Sequence, residues 1–251
     1  MVQVKVCNFV STNCREPVTG LTASLCDKLD VNCTRPIRSG IRDVAGTFTF
    51  EVNTGGVSGA GFNGYLQIIP TAESCTNEMV FGPAARMFCA LAPKCDPNSP
   101  SDDCKIPTFA PALVFFNPPI LRDVEKPLVV QMVPTGAFPA LAQAAGVALD
   151  PTAGNLFITA LDCDGRPASG VKLSMGDQLA GKVTALYLVE GVISNTASET
   201  DESGTAGFMG VPPGFADISA ATASANPIQI GRIGVQTAPS MITYSAVVPA
   251  Q

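Results

Sequence analysis

The feature that most constrains this chain is an internal echo. The stretch Thr200 to Ile218, TDESGTAGFMGVPPGFADI, has an earlier counterpart between Arg42 and Ile68. There the order runs RDVAGTFTFE, a Gly/Ser-rich insertion VNTGGVSGAG, then FNGYLQI. Both copies present an acid, a turn glycine, an alternating strand, an aromatic after a glycine and a second strand. Two copies predict two domains. Asp201-Glu202-Ser203-Gly204 and Asp43-Val44-Ala45-Gly46 are turn formers, because glycine tolerates positive φ and short polar side chains satisfy the turn backbone. Thr47 to Val52 alternates small or polar with apolar residues, the period of a strand with one buried face. Val211-Pro212-Pro213-Gly214 ends the second copy's strand, since proline cannot donate to a ladder.

This arrangement resembles the carboxypeptidase regulatory-like domains of the transthyretin-like (prealbumin-like) family, whose signature runs Thr-Asp, turn glycine, Phe-x-Phe, Pro-Gly and an aromatic. The second copy carries Thr200, Asp201, Gly204, Phe208, Pro213, Gly214 and Phe215, with Ala206 where the first Phe of the pair is usual. The first keeps Asp43, Gly46, Phe48 and Phe50, and has no Pro-Gly before Tyr65. The family's opening Gly-x-Pro-x-x-Gly is similar to Gly165-Arg-Pro167-Ala-Ser-Gly170 and, more loosely, to Glu16-Pro17-Val-Thr-Gly20. The resemblance implies an all-β chain of two tandem Ig-like or transthyretin-like sandwiches. Such modules serve many roles, so the fold alone does not name a function.

A length of 251 residues accommodates two such sandwiches. The expected layout is a disulfide-stapled domain over 1–137 with a cysteine-rich insertion at about 70–111, a short apolar linker over 138–151, and a second domain over 152–251. Pro139-Ala-Leu-Ala-Gln-Ala-Ala-Gly146 has the composition of one or two helical turns stopped by glycine. An apolar connector of this kind predicts a packed linker with a fixed interdomain angle. VQVKVC at 2–7 and LFITALDC at 156–163 read as the two opening strands. Cys7 and Cys163 are therefore expected at matching strand ends.

Charged residues make up 14% of the chain and hydrophobic ones 46%, so much of the surface is expected to be uncharged. A net charge of −6 without any Lys/Arg cluster excludes nucleic acid as a partner. No window approaches a continuous apolar span, which excludes a transmembrane helix. The chain has no histidine, which removes Ser-His-Asp and Cys-His pairs and every His-ligated metal site. No catalytic residue and no cofactor is therefore expected.

Nine cysteines, eight of them before residue 105, point to an oxidising compartment and to a secreted or cell-surface chain. The N-terminus reads as a strand, and no signal peptide is visible. Eight cysteines allow 105 pairings. Sequence neighbours are favoured, namely Cys7 with Cys14, Cys26 with Cys33, Cys75 with Cys89 and Cys95 with Cys104. A four-thiolate zinc site is the alternative, although the CxxC spacing is missing. Cys163 is left over and is expected as a small buried residue on a strand, with a catalytic thiol or an intermolecular bridge as lesser options.

Two acidic groups could offer oxygen ligands to calcium: Asp96, Asn98, Asp102 and Asp103, and Asp162, Asp164 and Asp201. Solvated turns are the preferred reading of both: the first run is broken by Pro97 and Pro100 and lacks the glycine and terminal glutamate of an EF-hand, and Asp164-Gly165 is a plain hairpin-turn signal. Glu190, Glu199, Asp201 and Glu202 cluster in sequence and include candidates for a glycosidase carboxylate pair, but the chain has no Trp and only three Tyr to form a sugar platform. Asn32-Cys33-Thr34 fits a glycosylation sequon.

The reading that best fits these features is a non-enzymatic extracellular structural protein that assembles with itself, as a filament or other homopolymer, or with another surface protein. The alternative is a secreted ligand-binding or adhesion module, dependent on a glycan or on calcium. A carboxylate-only hydrolase ranks third.

Overall fold

The computed structural model describes residues 2–8, 18, 20–42, 47–51, 61–71, 75–76, 106–107, 109–121, 127–176, 179 and 183–249. Among the expected sites, Cys14, Cys89, Cys95, Cys104, Asp43, Gly46 and the run 96–103 lie outside the described residues, as does the side chain of Cys75. The chain divides into two compact units, Met1–Phe138 and Pro139–Gln251. Both are built almost wholly from strands, so the chain is all-β.

In the first unit, β1 (Val2–Asn8) runs antiparallel to β5 (Thr47–Phe50) and parallel to β10 (Leu128–Met132), and β4 (Ile41–Arg42) extends the sheet beyond β5. The cause is visible in the alternation: Val2, Val4 and Val6 are buried while Gln3 and Lys5 are half-buried. In the second sheet β6 (Gly64–Pro70) lies between β2 (Leu21–Asp27) and β9 (Ala112–Phe115), antiparallel to both, with β3 (Arg38–Ser39) beyond β2. Phe48, Phe50, Leu66, Ile68 and Leu113 fill the core. Within the 70–111 segment a short ladder joins β7 (Cys75–Thr76) to β8 (Ile106–Pro107).

A 3-10 turn (Thr135–Ala137) leads into α1 (Phe138–Ala145). Phe138, Ala142 and Ala145 are its buried residues, the spacing of one helical face. Gly146, at φ +69, stops the helix: its N–H bonds to the Gln143 carbonyl and that of Val147 to the Ala142 carbonyl. That pair of bonds is a Schellman cap, and the positive φ is why glycine stands there.

The second unit repeats the central strands of the first in the same order. β11 (Gly154–Ala160) runs antiparallel to β15 (Thr205–Val211) and parallel to β18 (Ile242–Val247), while β13 (Thr184–Val189) and β14 (Val192–Ser194) continue the sheet beyond β15. In the other sheet β16 (Gly214–Thr222) lies between β12 (Val171–Met175) and β17 (Gln229–Thr237). The repeat holds at the level of register. Val4 faces Phe48 and Leu128, and Ile158 faces Ala206 and Ser245 in the same way. Val2 faces Phe50 as Leu156 faces Phe208.

That register corrects one expectation. The counterpart of Cys7 is Leu161, so Cys163 falls two residues past the matching position. β11 has ended at Ala160, and Cys163 sits in a turn as a free, exposed thiol. Cys7 by contrast is buried within β1 and disulfide-bonded. A turn needs no apolar side chain to fill a core, which is why Cys163 is not the small buried strand residue that its neighbourhood in sequence suggested.

A candidate contact surface and the turns that hold it

Two turn systems fix the ends of these sheets. In the first unit the loop from Asp27 to Ile37 is closed by the Cys26–Cys33 disulfide, with Cα atoms 5.4 Å apart. Asp30 organises the loop: its carboxylate accepts from Thr34 N–H at 3.0 Å, from the Thr34 hydroxyl at 3.0 Å and from Arg35 N–H at 2.8 Å. The Arg35 and Thr34 backbone bonds hold its pKa below the ordinary carboxylate value. The buried Tyr65 hydroxyl donates to the Asp30 carbonyl, and burial pushes that phenol up to about 12. On the outside of this ordered loop Leu29 is 88% exposed, and Val31 and Ile37 are exposed as well.

In the second unit the fastening is a hydrogen-bonded corner at Thr200-Asp201, which joins the two halves of the sequence motif. The Thr200 hydroxyl donates to the Ala168 carbonyl at 2.7 Å and accepts from Val171 N–H at 3.0 Å. Its backbone bonds to Gly170 and Val171 as well. The Asp201 carboxylate accepts from Ser203 N–H at 2.9 Å and Glu190 N–H at 2.7 Å. Hydrogen bonding to Ser203, then to Glu190, lowers its pKa. Gly204 has φ +64, and a Cβ there would meet the Ala160 carbonyl at 2.6 Å. A side chain at this position would break the close approach.

The candidate calcium carboxylates are placed by the same logic. Asp162 accepts from Asp164 N–H and Arg166 N–H, and both Asp162 and Asp164 pair with Arg166. Asp201 is engaged as described. Among the described residues no group of three or more Asp, Glu, Cys or His side chains converges as a metal would require. Glu190, Glu199 and Glu202 are exposed in turns.

The most informative surface is the outer face of β12, β16 and β17. Alternation puts Ala216, Ile218 and Ala220 of β16 and Ile233 and Val235 of β17 inside. Outward stand Phe215, Asp217 and Ser219, beside Arg232 and Gly234. Phe215 is 65% exposed and lies over Gly234: a Cβ on that glycine would meet the ring at 2.1 Å. An aromatic laid diagonally across a strand pair covers the bare backbone of an edge glycine. Asp217 and Arg232 pair through Nε at 2.7 and 2.8 Å and also through Nη2. The Arg232 hydrogen bonds and charge lower the Asp217 pKa. The Asp217–Arg232 pair thus cancels its own charge, leaving Lys172 of β12 as the other charge on a face of mostly small side chains around one ring.

Among the described residues β17 has one ladder partner, β16; toward its two ends β18 and the residue after it lie against it, where the Gln236 carbonyl accepts from the Thr243 hydroxyl at 2.8 Å and the Val248 carbonyl stands against Gly231. Natural edges are guarded by charge, proline or shortness. β17 has no proline, and its single charge, Arg232, is neutralised by Asp217. Sequence reasoning singled out Phe215 as a fold motif and missed this strand, because Gly231 and Gly234 interrupt the β-forming pattern. The signal was available in Phe215 itself, an aromatic placed where it shields a glycine of the next strand.

No family model matches the chain, and no curated protein matches it. Among solved structures it is similar to the Bacillus anthracis TIE protein, at 11% identity and a TM-score of 0.25 over 99% of this chain and 33% of that one. It thus spans a third of that protein's length. It is also similar to shaft pilin SpaA from Lactobacillus rhamnosus GG, at 10% identity and a TM-score of 0.26 over 100% of this chain and 97% of that one. A streptococcal ancillary pilin is similar at 11% identity and a TM-score of 0.25, over 99% and 67% of the two chains. These are loose likenesses, and the strand order described above is what defines the two units as β-sandwiches. No helix among the described residues is long and apolar enough to cross a membrane.

Proposed function

We propose that this chain is a non-enzymatic structural protein of the extracellular space or cell surface that assembles with copies of itself by adding a strand at the edge of β17. The observation that carries the reading is that strand: one ladder partner among the described residues, no proline, and its only charge already paired across the sheet. An unguarded edge presents unpaired N–H and C=O groups to any extended segment that approaches, and main-chain bonding then supplies affinity without a side-chain code. The low charge of the chain and the sparsely charged outer face of β16 and β17, whose Asp217 and Arg232 pair, support burial of that surface in an assembly. The disulfide at Cys26–Cys33 and the bonded Cys7 support an oxidising compartment.

The test is the size of the native protein, without reductant, by light scattering coupled to size exclusion and by electron microscopy. Fibres or a defined oligomer are expected, and the double substitution Ile230→Lys with Gln236→Lys, at half-buried positions of β17, is expected to weaken assembly at least tenfold while leaving the circular dichroism of the monomer unchanged. A wild-type protein that stays monomeric sinks self-assembly. A lysine variant that assembles as well as wild type moves the contact away from β17.

A further inference from the structure

The loop between β2 and β3 carries a second feature, independent of the assembly reading. Asn32, Cys33 and Thr34 form an Asn-x-Thr triplet, and they sit on a surface turn with Asn32 exposed. The Asn32 carboxamide has no hydrogen-bond partner among the described residues, whereas the residues around it are tightly held. Asp30 accepts three bonds from Thr34 and Arg35, and Cys33 is fixed to Cys26. The loop therefore projects one uncommitted primary amide from a rigid base. The same base displays Leu29, 88% exposed, and the exposed Val31, both within three residues of Asn32, among the charged side chains of Asp27, Lys28, Arg35 and Arg38.

We infer that Asn32 is an N-glycosylation site and that its glycan shields the exposed apolar side chains of Leu29 and Val31. The acceptor chemistry is that of a surface Asn-x-Thr in an exported chain, and the product is bulky and solubilising. The Asn32 side-chain nitrogen forms a bond to the anomeric carbon of an oligosaccharide carried on a lipid phosphate. The phosphate leaves with the bonding electron pair, and the amide nitrogen gives its proton to a base of the transferase. In the closed loop the Thr34 hydroxyl is engaged by Asp30 and Cys33 sits at φ +49. The triplet is thus read before the disulfide closes, and the exposed, uncommitted amide of the closed loop is what leaves the attached sugar room in the folded chain.

The experiment is intact mass and peptide mapping of the chain purified from the cells that naturally export it, beside Asn32→Gln and Thr34→Ser made in the same cells. The expected result is a mass above that of the oxidised polypeptide, localised to the peptide containing Asn32, lost in N32Q and retained on at least part of the T34S molecules. N32Q is further expected to aggregate at a lower concentration than wild type. A wild-type mass equal to the bare polypeptide overturns the inference, as does added mass that survives N32Q.

Discussion

The two units share a strand plan, and the described turns of each, at different places in that plan, are fastened by different chemistry. The first closes its β2–β3 loop with the Cys26–Cys33 disulfide, while the second holds its corner with hydrogen bonds from Thr200 and Asp201. Register is nevertheless the same in both, down to Val4 with Phe48 and Ile158 with Ala206. The shared sheet order thus follows the apolar alternation that the strands of both units carry.

The sharpest way to break the comparison is at the shared core position. Phe50 and Phe208 are both buried, at 1% and 2% exposure, and each substitution to alanine is expected to cost about 3–5 kcal/mol. Urea unfolding followed by circular dichroism measures it, and clearly unequal losses would show that the two positions are not equivalent. Next come the fastenings. Replacing Cys26 and Cys33 by serine is expected to cost about 2.5 kcal/mol, since their closed loop is short. Thr200→Val leaves the Val171 N–H without its side-chain acceptor and is expected to cost about 2 kcal/mol, with no response to reductant in that measurement.

The smallest effect is electrostatic. The Asp217 pKa is lowered in the fold, so its contribution is complete above the ordinary carboxylate value and is lost as pH falls through the depressed one. Because Arg232 is largely exposed, the pair is worth less than about 1 kcal/mol. Asp217→Asn is expected to flatten the stability profile below pH 4 by no more than that, and thermal unfolding across an acid series reads it.

Much of this was legible in the residues. VQVKVC announced β1 because period-2 alternation survives any context, and the Thr-Asp and Pro-Gly signals placed the turns around β15 and β16. What stayed hidden depends on partners far apart in sequence. Cys163 looked like the twin of Cys7 by its distance from a strand, and only the pairing of Val4 and Ile158 with their neighbours shows the two-residue offset. β17 was hidden because a glycine depresses strand propensity locally, while the ring that covers Gly234 belongs to the preceding strand. The Asp30 loop was hidden for a similar reason: the Tyr65 hydroxyl that braces it arrives from β6.

The parallel pairing of first and last strands has a mechanical consequence. A parallel neighbour places the start of β1 and the finish of β10 at opposite ends of the ladder, and β11 and β18 stand in the same relation. Tension applied through the two ends of either unit then drags the strands lengthwise past each other. Under that load the bonds spanning Val4–Leu128 to Asn8–Met132, or Asn155–Ile242 to Ala160–Val247, are strained together and must fail together. A hairpin pulled open at its tip gives way one bond at a time. Each unit of this chain is instead loaded as a lap joint, the geometry in which a short sheet resists force best.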